Sequence, residues 1–220
     1  MVKYSIAEEN YVKAIYHLEQ RNTSVSTNEL SGVLQTSAAS VTDMLKKLKK
    51  KKLITHKPYY GCNLTNLGQK LALLIIRRHR LWEFFLFEKL GFNWQEVHEV
   101  AEELEHVGSE LLINKLDAFL KFPQFDPHGD PIPDSKGNFV QLDQQSLNLL
   151  PLHKEATVVQ IAAQTAPLLE ILEQKKITIG SSITVLSRSP FDNSVEIKIN
   201  KKHAAFLSKE LAQNILIKIS

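Results

Sequence analysis

Ser26–Lys50 reads STNELSGVLQTSAASVTDMLKKLKK, and its punctuation decides the first part of the fold. Ser26 followed three residues later by Glu29 is a capping-box start, in which the serine hydroxyl accepts from a first-turn amide and the glutamate reaches back. That helix runs to about Leu34. Gln35 and Thr36 break the pattern, Ser37 caps again, and Ala38 to Lys50 carries Val41, Leu45 and Leu48 on one helical face. Two short helices joined by a tight turn have the sequence shape of a helix-turn-helix. Downstream, LITHKP and CNLT predict two short strands around Tyr59, Tyr60 and Gly61, with Gly61 able to take a positive φ, so that a wing follows the second helix. Upstream, residues 5–21 place Ile6, Tyr11, Ala14, Ile15 and Leu18 at helical spacing.

A helix that enters the major groove needs small or polar residues at its start and cations where it meets phosphate. Ser37, Ala38, Ala39, Ser40 and Thr42 meet the first need, and Asp43 can accept from a cytosine amine. Lys46, Lys47, Lys49, Lys50, Lys51, Lys52 and Lys57 meet the second, in a segment whose single acid is Asp43. Lysines also gather at helix C-termini because the macrodipole favours them. The capped helix in front and the wing behind nevertheless point to an anionic partner, double-stranded DNA. The expected DNA-binding residues are Thr27, Ser37, Ala39, Ser40, Thr42, Asp43, Lys46, Lys47 and Tyr60.

A second constellation lies farther along. His98, Glu102, Glu105 and His106 stand at offsets that share one face of a helix of about 3.6 residues per turn. His79 and Glu83 repeat the device at i, i+4 inside LALLIIRRHRLWEFFLFEKL. Imidazoles and carboxylates converging from two helices are the ligand set of a borderline-to-hard divalent cation. Neither zinc-protease nor di-iron chemistry fits: HEVAE, residues 98–102, ends in glutamate where a second histidine would be needed, and only Glu103–His106 gives E-x-x-H on a plausible helix. The chain is therefore not expected to be an enzyme, and no small organic substrate is implied.

The 220 residues, 43% hydrophobic and 23% charged with a net charge of +3, can bury a core and divide into more than one domain. One cysteine, Cys62, excludes a disulfide framework and a Cys-rich zinc site. The longest apolar run, near Leu71–Ile76, is too short to span a bilayer, and the first residues lead directly into charged helical sequence. A cytoplasmic protein without a membrane partner is the expectation. After a long helix from Leu67 to about Leu90, a second begins near Trp94. Gly108 and Ser109 interrupt it before SELLINKLDAFLKF. FPQFDPHGDPIPDSKGN then carries five prolines and glycines within Pro123–Pro133 and predicts a linker. Beyond Leu152, ATVVQIA, SSITVLS and VEIKI read as strands, APLLEILEQ as a helix, and LAQNILIKI closes a small β-barrel-like module.

The succession of winged helix, His79 with Glu83, VHEVAEELEHVGSE and PHGDPIP resembles the diphtheria toxin repressor family of iron- and manganese-dependent transcription regulators. The resemblance covers essentially the whole chain. It implies a mainly α protein with small β modules: an N-terminal winged helix-turn-helix over 1–73, a helical metal-binding and dimerisation domain over 74–125, a Pro/Gly-rich linker over 126–151 and a C-terminal SH3-like β-barrel over 152–220. It also implies a homodimer that binds operator DNA and controls metal-homeostasis genes when loaded with Mn(II) or Fe(II), with Zn(II) able to bind in vitro. One implied site uses Glu102, Glu105 and His106 with Asn10; another uses His79, Glu83 and His98 with help from the C-terminal half. Asp126 and His128 take linker positions that resemble a cysteine and a histidine in some three-domain manganese regulators, and Gln164 aligns as an additional ligand. Oxygen where the iron branch carries sulfur favours the harder ion, so Glu102 points to manganese. The rival reading is a winged-helix regulator with a vestigial metal site that acts through protein partners, and a metalloenzyme stands behind it.

Overall fold

The computed structural model describes residues 4–57, 60–94 and 96–219; Pro58, expected at the end of the first wing strand, and Tyr59, expected between the strands, lie outside them. In chain order, the helix-turn-helix region contains α1 (Ile6–Glu19), α2 (Thr27–Val33), α3 (Ala38–Lys50), β1 (Ile54–Lys57) and β2 (Gly61–Leu64). Then follow α4 (Asn66–Leu90), α5 (Glu96–Leu104) and α6 (Glu110–Phe119). The remainder comprises β3 (Gln145–Ser146), β4 (Glu155–Ile161), α7 (Ala166–Gln174), β5 (Ser182–Arg188), β6 (Val195–Ile199), β7 (His203–Leu207), α8 (Lys209–Gln213) and β8 (Ile215–Ile219). Among the described residues no helix is long and apolar enough to cross a membrane.

The chain forms two compact units, and the first comprises residues 1–79, 102–115 and 133–138. Both capping boxes in it are complete: Ser5 with Glu8 opens α1, and Ser26 with Glu29 opens α2. Ser37 caps α3 by accepting from the Ser40 amide. The apolar faces of these helices, with Val12, Ile15, Leu30, Val41, Leu45 and Leu48, close over Leu53 and Cys62 in a common core. Each such leucine or isoleucine contributes roughly 1.5–3 kcal/mol by leaving water. β1 and β2 pair antiparallel, and Val25 adds a bridge by exchanging backbone hydrogen bonds with Cys62. Gly61 takes φ +88, and a Cβ there would lie 2.6 Å from the Val25 carbonyl oxygen, so the tight wing entry requires glycine. Ile6 departs from its expected inward place and is 60% exposed, whereas the carboxylates of Glu8 and Glu9 are buried.

The second unit comprises residues 80–101, 116–132 and 139–220. Its six strands run antiparallel in the order β3-β8-β4-β5-β6-β7. Ala156, Val158 and Ile161 of β4 face a core shared with Leu169 and Leu172 of α7, Ile215 and Ile217 of β8, and, at its margin, Trp94. Strict alternation from Ala156 and Val158 would turn Gln160 inward, but the register with β8 shifts between Val158 and Gln160. The shift puts Ile161 in the core and frees Gln160 for polar contacts. β3 and β7 have no counterpart in the sequence reading; HAAFL, the body of β7, shows four of five positions outside the core and so lacks an apolar alternation.

Candidate metal centre and nucleic-acid interface

The helix α3 presents Ser37, Ala38, Ala39, Ser40, Thr42, Asp43, Lys46 and Lys47 on its exposed side, opposite Val41, Leu45 and Leu48. Thr27 is half-buried at the start of α2, and Tyr60 is 79% exposed beside the wing. Some groups are already engaged. The Thr42 hydroxyl donates to the Ala38 carbonyl at 2.8 Å, and Lys46 pairs with Asp43 at 3.0 Å, a surface pair worth little that a phosphate can displace. Lys49 donates to the His56 carbonyl, and Lys51 pairs with buried Glu8 at 2.6 Å. These two lysines of the expected phosphate-contacting cluster therefore brace α3 against the wing and α1.

Two groups of metal-ligand type lie within the separate units. In the first unit, one donor atom each from His79, Glu102 and Glu105 falls within 4.8 Å of the others. α5 ends at Leu104, one residue short of the helical face expected for Glu105 and His106, which occupy the turn beyond it. His79 Nδ1 lies 2.7 Å from Glu105 Oε2. His106 Nδ1 lies 2.7 Å from Glu9 Oε2, and Arg78 meets the other oxygen of Glu9 at 2.9 Å. Burial would raise the Glu105 carboxyl, but its hydrogen bond with His79 and the charges of Lys13 and His79 hold it below the usual glutamate value. Asn10, the expected α1 ligand, buries a side-chain oxygen that has no hydrogen-bond partner among the described residues. Glu9 and Lys13, which are not among the residues expected from sequence, supply direct contacts from α1; their signal is an i, i+4 pair of charges that brackets the apolar positions Tyr11 and Val12.

The Lys13 ammonium sits among the carboxylates of this first group. Its nitrogen is 2.6 Å from Glu102 Oε1 and 2.8 and 2.7 Å from the two oxygens of Glu105. A lysine has three N–H donors, and here three carboxylate oxygens receive them. The position is thus chemically a cation site, met by a side chain.

In the second unit, Glu83, Asp126 and His128 are all buried and bring one donor atom each within 4.8 Å of the others. The loop that carries Asp126 and His128 is irregular, as its prolines and glycines predict, yet it is packed rather than a free linker. Asp126 Oδ1 accepts the amides of His128 at 2.8 Å and Asp130 at 2.9 Å, an Asx turn that leaves Oδ2 without a hydrogen bond among the described residues, with Arg80 Nε 3.7 Å away. His128 Nε2 faces the Trp94 carbonyl at 3.3 Å, and its ring leans on the Trp94 ring with centroids 5.7 Å apart. A proton on Nε2 directed at that carbonyl leaves Nδ1 as a lone-pair donor, and Nδ1 is buried without a hydrogen-bond partner among the described residues. Burial pushes the His128 imidazole below its ordinary value, against the pull of Glu83 and the Trp94 carbonyl, which keeps it in the neutral, ligating form. Burial and the charges of Glu83 and Asp130 push the Asp126 carboxyl well above the usual range, with Arg80 opposing.

Surrounding groups complete this second cluster. His98 Nδ1 lies 3.2 Å from Glu83 Oε1. Gln164, expected as a ligand, donates to Asp130 Oδ2 at 2.6 Å, and Gln160 donates to Asp130 Oδ1. The Ile161 amide donates to the His128 carbonyl at 2.9 Å, pinning the loop to β4. Crowded carboxylates, an imidazole and two orphaned buried donor atoms fit a divalent cation.

Fold and clusters together define a winged helix-turn-helix DNA-binding protein that carries groups of metal-ligand type. Residues 4–62 match the family described as iron dependent repressor, N-terminal DNA binding domain. Residues 65–134 match its metal binding and dimerisation domain, and residues 145–219 match the FeoA domain. The fold is similar to a solved manganese-dependent transcriptional repressor in complex with manganese, at a TM-score of 0.89 and 32% identity, covering 97% of this chain and 100% of that one. The iron-dependent repressor IdeR of Mycobacterium tuberculosis is 32% identical over 125 residues, 57% of this chain and 54% of IdeR. The diphtheria toxin repressor of Corynebacterium diphtheriae is 29% identical over 125 residues, 57% of this chain and 55% of that protein. The chain thus spans about half the length of these curated relatives. It belongs to the diphtheria toxin repressor family of iron- and manganese-dependent regulators.

Proposed function

We propose that this protein is a metal-dependent transcriptional repressor that binds operator DNA as a homodimer, with Mn(II) or Fe(II) as the corepressor. The observation that carries the reading is the buried Glu83–Asp126–His128 cluster, with two donor atoms lacking partners among the described residues, in a chain whose α3 exposes a small-residue tip followed by lysines. Glu83, Asp126 and His128 would hold the ion, with His98 adjoining Glu83. A bound dication supplies the positive charge that lets the facing carboxylates ionise together. The Asx turn at Asp126 and the Trp94 carbonyl on His128 orient the donors before any ion arrives, so little ordering remains to be done on binding. Oxygen-rich ligation suits manganese or ferrous iron, while zinc binds by its higher intrinsic affinity without being the natural signal. In the DNA-binding region, Ser37, Ala39, Ser40, Thr42 and Asp43 would meet base edges and Lys46 and Lys47 phosphate, with Thr27 and Tyr60 at the margins. A two-fold dimer matches a palindromic site with half-sites about one helical turn apart.

The test is a titration of fluorescent operator DNA with the full chain, carried out with manganese, with ferrous iron under anaerobic conditions, with zinc, and after exhaustive chelation. Binding should rise at least about tenfold with manganese or iron and fall to the non-specific level on chelation. Full operator binding after chelation would exclude a corepressor and leave regulation through protein partners. Asp126→Asn, which keeps the turn geometry, should lose the metal response.

A further inference from the structure

We propose that Lys13 is a built-in cation that takes the place of a metal ion in the His79–Glu102–Glu105 cluster, so that the metal response of this chain is confined to the Glu83–Asp126–His128 cluster. The inference deepens the metal-dependent reading above and, in its second half, rests on it. Its first half stands on the geometry of one unit alone.

The Lys13 side chain is 14% exposed and that of Glu105 fully buried, so their contact is not a chance surface pair. The ammonium accounts for each of its three hydrogens with a carboxylate oxygen at 2.6–2.8 Å, one from Glu102 and both from Glu105. A divalent ion bound at these oxygens would stand within about 2.2 Å of them and hence against the ammonium, with like charges in contact and shared ligands. The two cations exclude one another. To admit an ion, Lys13 would have to leave, and the departing charge would need a new partner. The acids of α1 nearby in sequence are already engaged, Glu9 by Arg78 and His106 and Glu8 by Lys51. Lys13 also differs from an ion in being covalently part of α1. The tie it makes between α1 and residues 102–105 needs no metal and cannot be dialysed away.

In the second cluster, Asp126 and His128 are met differently. Arg80 approaches Asp126 only to 3.7 Å and Asp130 to 3.8 Å. The guanidinium also donates to the Pro131 carbonyl, so it braces the loop. Asp126 Oδ2 and His128 Nδ1 remain without hydrogen bonds among the described residues. One cluster is therefore satisfied from within the chain, whereas the other keeps two donor atoms for an ion.

The experiment counts manganese on the full-length protein, by elemental analysis after gel filtration and by the electron spin resonance of the free ion during titration. Wild type should hold about one ion per chain and Lys13→Ala about two, the extra ion raising the melting temperature of the variant in manganese but not in its absence. Asp126→Asn should hold none, and Lys13→Ala added to it should recover about one. Removing Lys13 leaves Glu105 buried without that cation, so a second variant guards against a folding defect. Glu102→Gln in the wild-type background keeps the shape of a side chain already 39% exposed and should leave manganese affinity within about twofold. Two ions on wild type, an unchanged count on a folded Lys13→Ala, or a tenfold loss of affinity in Glu102→Gln would each overturn the proposal. No ion on wild type but one on Lys13→Ala would support the built-in cation and overturn the metal-dependent function instead.

Discussion

Glu8 illustrates how one side chain serves two ends. It closes the capping box with Ser5 and meets Lys51, the residue that follows α3, so it couples the start of one helix to the end of another. Burial would raise its carboxyl, but the hydrogen bond and charge of Lys51 and the Ser5 amide hold it below the usual glutamate value. A lowered folded-state pKa means stability that is present above the ordinary carboxylate value, about 4.3, and is lost as pH falls through the folded one. Glu8→Gln should therefore cost about 1 kcal/mol near neutrality, and the difference from wild type should shrink in acid, below the ordinary carboxylate value. Melting curves in both pH ranges check this; a constant gap would assign the effect to the cap alone. At this scale the sequence was informative about residue types and less so about partners. His79, Glu83, His98, Glu102 and Glu105 stand out as imidazoles and carboxylates at helical spacing, but the cation that meets Glu102 and Glu105 comes from α1, which no local pattern connects to them.

Among the elements, those whose hydrogen bonds are local were readable. The capping boxes and Ser37 mark α2 and α3 because each cap is a contact over three residues. The end of α5 at Leu104 and the exposed strand β7 were not: Glu105 and His106 continue the helical spacing in sequence yet occupy the turn beyond α5, and β7 is defined by its pairing with β6. The loop Asp126–Asp130 is the sharpest case. Its composition says only that it is irregular, whereas its shape is imposed by β4. Gly129 adopts φ +85, and a Cβ there would lie 2.0 Å from the Val159 carbonyl oxygen. Gly129→Ala must move backbone, and roughly 2–4 kcal/mol is the expected loss from strain and displaced packing. Manganese binding should weaken by at least about tenfold, because Asp126 and His128 are oriented by the same turn. Denaturant unfolding and a metal titration on the same sample test both effects; loss of stability with unaltered metal affinity would remove the loop from the site.

For the molecule as a whole, the net charge of +3 understates how unevenly charge is distributed. Of the lysines of and just after α3, Lys51 is tied to Glu8 and Lys49 to the wing, whereas Lys46, Lys47 and Lys50 stay exposed on the side away from Val41, Leu45 and Leu48, and Lys46 and Lys47 lie nearest the small-residue start of the helix. Replacing both by glutamine should weaken DNA binding on all sequences alike and reduce the slope of log affinity against log salt by about one for each phosphate that a lysine no longer neutralises. Anisotropy titrations at several salt concentrations measure the slope, and an unchanged value would remove the two lysines from the interface. Family membership was legible at this scale because the order of motifs, winged helix, acidic–histidine helix and PHGDPIP, is more specific than any motif alone.

The bond from the Ile161 amide to the His128 carbonyl also bears on what the gene can lose. A stop codon or proteolytic cut just before β3 would delete that amide together with both glutamine amides that hold Asp130. The Asp126–Asp130 loop would survive as sequence while losing the backing that shapes it. A shortened version of this protein would keep every residue proposed to read DNA and, with Glu83, Asp126 and His128 all retained, is expected to lose the proposed response to an ion.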